Sequence, residues 1–229
     1  MAGEFLRGAF VQFMDTFLMP VPNVIVFQFN PESISHSWSP QTAASDEDET
    51  NSLAVSGEPK ESFQFTLAMD SSDMIAEGST VAETIATASG VYSRLAALEM
   101  LMQPVVSEDN SLLASVSSAA GSGDEEERSI PEYQLPVVLF VWGPGRILPV
   151  KITSISITET IYDRILLHPT HAEANVQVEV LKSHDLIDLS GPLAGIARAA
   201  LSYSQTLRKG LATANLANSV ESIIGMLPV

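Results

Sequence analysis

The side chains best suited to acid–base chemistry or metal binding are four histidines. They are His36, His168, His171 and His184. Two of them are closely spaced in the segment HPTH, and Glu173 follows two residues after His171. A metal site would need at least a third ligand on the same face, and Pro169 favours a turn here. We therefore interpret His168 and His171 as loop or subunit-contact residues, and we expect no metal site.

Two further segments have features of catalytic sites. In HDLID, His184 and Asp188 would pair if the segment were helical, but no G-x-S-x-G nucleophile elbow accompanies them. The segment WGPGR at Trp142 to Arg146 lacks the Gly-Lys-Ser/Thr end with which a phosphate loop reaches phosphate and magnesium. It predicts a hairpin turn in which Trp142 anchors the core. We therefore expect neither enzyme activity nor a cofactor.

The charge of the chain is strongly negative. It has 28 acidic and 11 basic residues, which gives a formal net charge of −17. Such a surface repels phosphates and anionic lipids, so we expect neither nucleic acid binding nor membrane insertion. The acidic runs at 46–49 and 124–127 lack the alternating acids and central Gly of a calcium loop. The acidity fits solubility or salt adaptation, an acidic lumen wall, or a basic partner.

Cysteine and long apolar stretches are both missing from the sequence. Without cysteine there are no disulfides, thiolate metal sites or cysteine nucleophiles. No stretch reaches the roughly 18 uncharged apolar residues of a membrane span. Glu4, Arg7 and Asp15 interrupt the apolar N-terminus, which has neither the basic region nor the cleavage site of a secretory signal. We therefore expect the protein to be assembled in the cytoplasm.

Apolar residues that alternate with polar ones, or form short runs, predict about seven strands. The strands cover 8–14, 23–29, 33–39, 63–69, 135–143, 147–158 and 173–180. In the sixth strand the apolar parity changes between Ile152 and Ile155, which predicts a bulge near Ser154. The proline-rich stretch at 19–22 separates the first two strands.

The segment FQFNPES, at Phe27 to Ser33, is the most informative part of the second strand and its end. Phe27 and Phe29 are expected to anchor the core. Pro31 keeps Asn30 out of the helical region, and Asn30 readily bonds to nearby backbone, so Asn30-Pro31-Glu32 is expected to form a fixed turn.

Helical spacing predicts one helix within the β region and a helical C-terminus. Thr80 and Glu83 have capping-box spacing and open a helix. Its apolar stripe consists of Val81, Ile85, Ala88, Tyr92, Leu95, Leu98 and Met102. The C-terminal residues continue at helical spacing, with a break expected at Gly210. The chain is therefore predicted to be α+β and mainly β. A β domain covers 1–189, with acidic loops at about 41–60 and 107–130, and a helical extension covers 190–229.

Three blocks in order resemble the tube-domain family of contractile injection systems. PNVIVFQFNPESI at 22–34 resembles the family's N-terminal signature, a short β run that ends in FNPE or FNPES. PVVLFVWGPGRILPVKITSISIT at 136–158 resembles its second block, an apolar strand ending in Trp-Gly before a hairpin. YDRILLHPTHAEANVQVEVL at 162–181 resembles the third, a proline-containing loop before alternating valines.

The resemblance implies a tube-type β-barrel or two-sheet core and a place in a phage-tail-like particle. Family members are baseplate adaptors, hexameric rings that join the spike hub to the inner tube, with strands that continue from subunit to subunit. The implied partners are further copies of the chain, the spike or hub protein, the inner tube protein, and baseplate or sheath components. The particle would be released or retained inside the cell.

This chain departs from the family pattern at two points. Many members carry a C-terminal LysM module, whereas residues 190–229 predict an Ala/Leu-rich helical segment. The usual Gly-x-Pro-x-Arg of the third block is replaced by LHPTHA at 167–172. The sequence therefore leaves two alternatives, an adaptor ring and a tube-initiating or tube-terminating ring.

The alternative from a different class is a monomeric β-barrel module that binds a small ligand, with an enzyme as the third hypothesis. A ring is favoured on physical grounds as well, because long strands leave sheet edges that must be paired or blocked. The residues expected at subunit contacts are Asn30, Pro31, Glu32, Trp142, Arg146, His168, His171, Leu193, Ile196 and Leu201.

Overall fold

The computed structural model describes residues 6–14, 21–41, 55–76, 80–106, 133–187 and 192–224. The strands in these ranges are β1 (Ala9–Met14), β2 (Val21–Val26), β3 (Ile34–Ser39), β4 (Lys60–Asp70), β5 (Val105–Val106), β6 (Tyr133–Gln134), β7 (Val138–Val141), β8 (Ile147–Tyr162) and β9 (Pro169–Val180). The helices are α1 (Ser71–Ala76), α2 (Thr80–Ser89), α3 (Tyr92–Met100) and α4 (Pro192–Ile224). Both predicted acidic loops fall largely outside the described ranges.

Seven of these strands form one antiparallel sheet, in the order β2-β1-β7-β8-β9-β4-β3. The remaining two, β5 and β6, pair separately. The longest pairing joins β8 to β9, and its register shifts between Ile152 and Ser154. The prediction of an α+β, mainly β chain with seven main strands is therefore confirmed, and so is the bulge near Ser154.

The sheet is open, which corrects the expected closed barrel or two-sheet core. Its outermost strands, β2 and β3, do not pair with each other in the described part of the chain. The sheet is nevertheless strongly curled. Four strand spacings separate β1 from β4, about 19 Å in a flat sheet, yet the rings of Phe10 and Phe65 lie 6.0 Å apart. Strands near opposite ends of the sheet thus face each other across one core.

Aromatic side chains fill the inside of the curl. The ring of Phe140 lies 5.3 Å from that of Phe65 and 5.9 Å from that of Phe10. Phe27 packs edge-on against Phe10 at 5.1 Å. Strand β9, which pairs with β4, presents small residues at its buried positions, Ala172, Ala174, Val176, Val178 and Val180. Large side chains on β1, β4 and β7 therefore meet small ones on β9, which keeps the interior close-packed.

The predicted helix at 80–102 is divided at Gly90, because the chain turns there. Gly90 has φ +58°, and a Cβ at this position would lie 2.2 Å from the carbonyl oxygen of Pro169. The backbone N–H of Val91 donates to that same oxygen at 3.0 Å. The turn shifts the buried face, so Ile85 and Tyr92 of the predicted stripe are exposed.

The C-terminal helix α4 runs without interruption through Gly210, so the expected break there is wrong. Its first half packs on the sheet of the same chain. Leu201 is buried, the hydroxyl of Ser204 donates to the carbonyl of Ile147 at 2.6 Å, and the hydroxyl of Tyr203 donates to the carbonyl of Pro144 at 2.8 Å. Later in the helix, large apolar residues are exposed, namely Leu211 and Leu216.

The segment FQFNPES joins three parts of the chain through two side-chain amides. The buried amide of Gln28 donates to the carbonyl of Asp70 at 2.7 Å and accepts from its N–H at 3.1 Å. The amide of Asn30 accepts from the N–H of Gly8 and donates to the carbonyl of Leu6, both at 2.9 Å. Each amide therefore bonds to backbone as a neighbouring strand would.

Only one of the two phenylalanines in this segment anchors the core. Phe27 is buried, as expected, but Phe29 is exposed, so its predicted core role is wrong. Strand β2 already ends at Val26. The alternation expected as far as Phe29 does not continue, because the chain beyond β2 follows the bonds of Gln28 and Asn30.

Replacing Gln28 by leucine should lower the free energy of unfolding by about 1–3 kcal/mol, because both backbone groups of Asp70 lose their partner. The matched control is Gln64→Leu. Gln64 is exposed, and its amide donates only to the Asn175 side chain. That substitution should cost less than about 0.5 kcal/mol. Denaturant unfolding followed by circular dichroism measures both. Equal losses in the two variants would show that the Gln28 bonds are not a special constraint.

Candidate assembly surface

Strands β8 and β9 are joined by a hairpin whose end exposes a run of large apolar side chains. Five of them are between 51% and 87% exposed, and they are Ile161, Tyr162, Ile165, Leu166 and Leu167. We call residues 161–167 the apolar tip. Exposed runs of this kind are avoided in proteins unless they serve a contact, because they favour association.

The conformation of the apolar tip is set by hydrogen bonds within the chain. The carboxylate of Asp163 accepts from the N–H groups of Ile165 and Leu166, both at 2.8 Å. The N–H of Asp163 donates to the carbonyl of His168 at 2.9 Å, and the hydroxyl of Thr170 donates to the carbonyl of Ile161 at 2.6 Å. The tip is therefore preorganised, which reduces the entropy lost when a partner binds.

Two residues of the tip have left-handed backbone angles. The φ angles are 54° at Ile161 and 56° at Leu167. Such angles are rare for residues other than Gly and Asn, and for a β-branched residue they indicate strain of about 1–3 kcal/mol. Both side chains are exposed, so burial within the chain does not offset this strain. Strain of this kind is commonly found where a segment is shaped for binding.

The base of the hairpin contains the two histidines of HPTH. His168 is half-buried beside Gly90, and its Nδ1 has no hydrogen-bond partner. His171 lies on β9, where its Nδ1 is 3.3 Å from a carboxylate oxygen of Asp70. Pro169 begins β9, so the expected turn ends before it. Among the residues with described positions, no group of three or more His, Asp or Glu is arranged to hold a metal ion.

Two carboxyl groups at this end of the sheet have lowered pKa values. Backbone hydrogen bonds from Leu166 and then Ile165 hold the pKa of Asp163 below its ordinary value. Partial burial raises the pKa of Asp70, but the hydrogen bonds from Ser72 and His171 together outweigh it and leave the pKa lowered. Both carboxylates are therefore ionised in their structural roles at neutral pH.

Trp142 and Arg146 flank the predicted hairpin turn between β7 and β8. The turn is confirmed: the N–H of Trp142 donates to the carbonyl of Arg146 at 2.8 Å, and Gly143 has φ 64°. The Trp142 ring packs against those of Phe27 and Phe140, at 6.5 and 6.3 Å. The guanidinium of Arg146 lies over the ring of Phe63 at 5.1 Å. Both residues thus contact the core of their own chain.

The other residues expected at subunit contacts lie on two further elements. In the segment between β2 and β3, Pro31 is half-buried and Glu32 is exposed, beside the internally bonded Asn30. On α4, Ile196 is exposed and Leu201 is buried against the sheet, whereas the Leu193 side chain lies outside the described set. The ten residues therefore do not form one patch on one element.

The apolar tip was missed in the sequence, although its signal was present. The run Ile165 to Leu167 follows Asp163-Arg164 inside a segment expected to be a loop. Three consecutive large apolar residues in a loop are a mark of a contact surface.

The other segments whose residue types could support catalysis or ion binding form no further site within the described residues. His184 lies in a turn, with its Nε2 3.1 Å from a carboxylate oxygen of Asp185. Asp188, its proposed partner, lies outside the described residues, as do the acidic runs at 46–49 and 124–127. Of the helices with described positions, none has a stretch long and apolar enough to cross a membrane.

The edges of the sheet are a second surface open to contact. Val24 and Val26 are exposed on edge strand β2, and Trp38 is exposed on edge strand β3. Unpaired edge strands present free N–H and C=O groups to other chains. Pro22 on β2 removes one donor from that edge, as prolines on edge strands do.

Comparison with known proteins does not assign the chain to a family. No protein-family model matches it, and a search of curated proteins finds no match either. The tip, the two edges and their contacts are therefore the structural basis for a functional hypothesis.

Acidification should loosen the apolar tip. Because the pKa of Asp163 is lowered in the folded chain, its contribution is present above the ordinary pKa of 3.8 and is lost as pH falls through the lower folded value. Hydrogen-exchange protection of the Ile165 and Leu166 amides should therefore fall in that range. The variant Asp163→Asn keeps an acceptor but not the charge. At neutral pH its amide protection should be lower than that of the parent chain, and it should not fall further in the acidic range. Protection in the parent chain that is constant down to pH 2 would contradict this role.

Proposed function

We propose that this chain is a structural subunit of a contractile injection system, a baseplate adaptor ring that joins the spike hub to the inner tube. The observation that carries the proposal is the preorganised apolar tip, which has no counterpart to bury it within the described chain. The resemblance of the three sequence blocks is the reason for proposing a contractile injection system as the particle. Further copies of the chain, the spike or hub, the inner tube, and baseplate or sheath components are the proposed partners.

The open sheet supports a ring. Strands β2 and β3 lie at opposite ends of the sheet order, so one subunit can offer its β2 edge to the β3 edge of the next. Such a head-to-tail contact makes a closed ring when the rotation between subunits closes. In this proposal the strands continue from one subunit to the next, and six copies close the tube-type barrel.

The apolar tip would serve a different contact from the edges. It lies at one end of β8 and β9, strands of 16 and 12 residues. At about 3.3 Å per residue, β9 alone spans nearly 40 Å. A tip at the end of so long a hairpin reaches beyond the ring edge contacts, toward the component above or below. We assign it to the spike hub or the inner tube.

Two alternative functions can be distinguished from this proposal by experiment. A tube-initiating or tube-terminating ring would use the same edges and tip, and differs only in its position in the particle. A monomeric ligand-binding barrel would need space inside the curl, where the rings of Phe10, Phe65 and Phe140 are in contact. The packed interior therefore favours the ring.

Polar substitution of the tip should block assembly without unfolding the chain. Ile165→Ser combined with Leu166→Ser changes only exposed side chains, so the free energy of unfolding should stay within about 0.5 kcal/mol of the parent. In a host that carries the particle genes, the variant should not restore particles to a deletion strain, as counted by negative-stain microscopy. The matched control is Ile187→Ser, which alters a similarly exposed isoleucine (72%) in another turn and should restore them.

Other outcomes of this experiment would discriminate among the hypotheses. Normal particle numbers with the double variant would remove the tip from assembly. A chain that is strictly monomeric and absent from purified particles would overturn the ring itself. Labelled subunits seen at the cap end rather than the spike end would favour the terminating ring over the adaptor.

A further inference from the structure

A cavity of about 300 Å³ lies between the sheet and helix α4, outside the aromatic core. It is bounded by the ends of β3, β4 and β9 and by the middle of the helix. The residues that line it are Trp38, Glu58, Pro59, Glu61, Val180, Leu181, Lys182, Leu201, Gln205, Arg208 and Lys209. Its volume is at the lower end of the range for small-molecule sites.

Both carboxylates of the cavity are hydrogen-bonded within the chain. Buried Glu61 accepts from Arg208 at 2.8 and 2.5 Å, and its carboxylate is 2.9 Å from Nε2 of His36. Glu58 accepts from the N–H and hydroxyl of Ser183, at 3.3 and 3.1 Å. Arg208 therefore balances the charge of Glu61, whereas Glu58 keeps its negative charge and is held by neutral donors.

Two lysines of the cavity have no carboxylate partner among the described residues. Lys182 is only 7% exposed, and no carboxylate in the described ranges lies within ion-pair distance of it or of Lys209. Three cationic side chains thus face two carboxylates, in a chain whose net charge is −17. Although the stem of Lys182 is covered, its ammonium group is not fully buried, so it is open to an anion in the cavity.

The other walls of the cavity are apolar. Val180, Leu181 and Leu201 supply aliphatic surface, and the Trp38 ring lies under the Arg208 guanidinium at 5.1 Å. A ligand that fits must therefore combine a negative group near the lysines with an apolar body along these walls.

We propose that this cavity binds a small amphipathic anion, a carboxylate on an aliphatic or aromatic stem. The anionic group pairs with Lys182 and Lys209, and the stem packs on Leu201 and the Trp38 ring. This inference does not depend on the assembly role, because the cavity is formed by residues of one chain.

Octanoate is a suitable probe, and Trp38 is a local reporter. The chain has two tryptophans, so Trp142→Phe leaves Trp38 as the only source of tryptophan fluorescence. Octanoate should change this fluorescence saturably. Octanol lacks the negative charge, octylamine carries a positive charge and acetate lacks the apolar stem. Each of the three should therefore bind at least tenfold more weakly than octanoate. Calorimetry on the parent chain with octanoate should give the same affinity, which controls for the Trp142 substitution.

Lys182→Met tests the charge at nearly constant shape. It should weaken octanoate binding at least tenfold and leave octanol binding unchanged. Arg164→Met removes one positive charge at the far end of β9 and should have no effect, which separates the local ion pair from the net charge. Gln205→Phe, which adds bulk to the wall, should weaken octanoate and octanol alike.

The proposal would be overturned by equal binding of octanol and octanoate, or by octanoate binding that survives Lys182→Met. Binding of acetate as tight as that of octanoate would also overturn it, because the site would then hold an adventitious ion only. Particle assembly by the Lys182→Met variant has no bearing on either result, so a failure here is distinct from a failure of the ring.

Discussion

The backbone N–H and carbonyl of Asp70 face a side of β4 that no strand covers, and the amide of Gln28 bonds to both. Strand β3 pairs with β4 only from Lys60 to Phe65, so the far end of β4 would otherwise be open on that side. Gln28 comes from the chain that follows β2, at the opposite end of the sheet order. Its two bonds hold the sheet in its curl, and the contact between Phe27 and the other core rings depends on that curl.

The same constraint separates what the fold buries from what it leaves exposed. Where the sheet curls, alternate residues of β4 and β9 lie inside, and the core needs no further chain. At the end of the β8–β9 hairpin Pro169 is buried and accepts a hydrogen bond from Val91, but the large side chains of the apolar tip are exposed. The curled sheet thus has a closely packed interior, and the exposed tip of its hairpin is a separate surface for contact.

Much of the sheet could be predicted, because strand alternation is a local property. Phe63 to Met69 alternates as expected, and the parity change at Ser154 marked a real bulge. The helix break could not be predicted, because the left-handed angle of Gly90 is tied to its contact with Pro169, distant in sequence. The resemblance predicted a closed barrel, and the open curl could not be foreseen for a similar reason, whereas the apolar run of the tip was visible in the sequence. The bonds of Gln28 and the exposure of the tip appear only when the strands are placed.

The strand order also governs how the chain can fold as it is synthesised. β1 pairs with β7, and β4 pairs with β9, so β1 lacks its central partner until residue 141 has been made and β4 lacks its partner until residue 180. At common translation rates the interval from β4 to the end of β9 lasts on the order of ten seconds. During that time the β1–β2 and β3–β4 hairpins carry apolar faces with nothing to cover them. Pairings so distant in sequence also form slowly, so the nascent chain would be a natural substrate for chaperones that shield such faces.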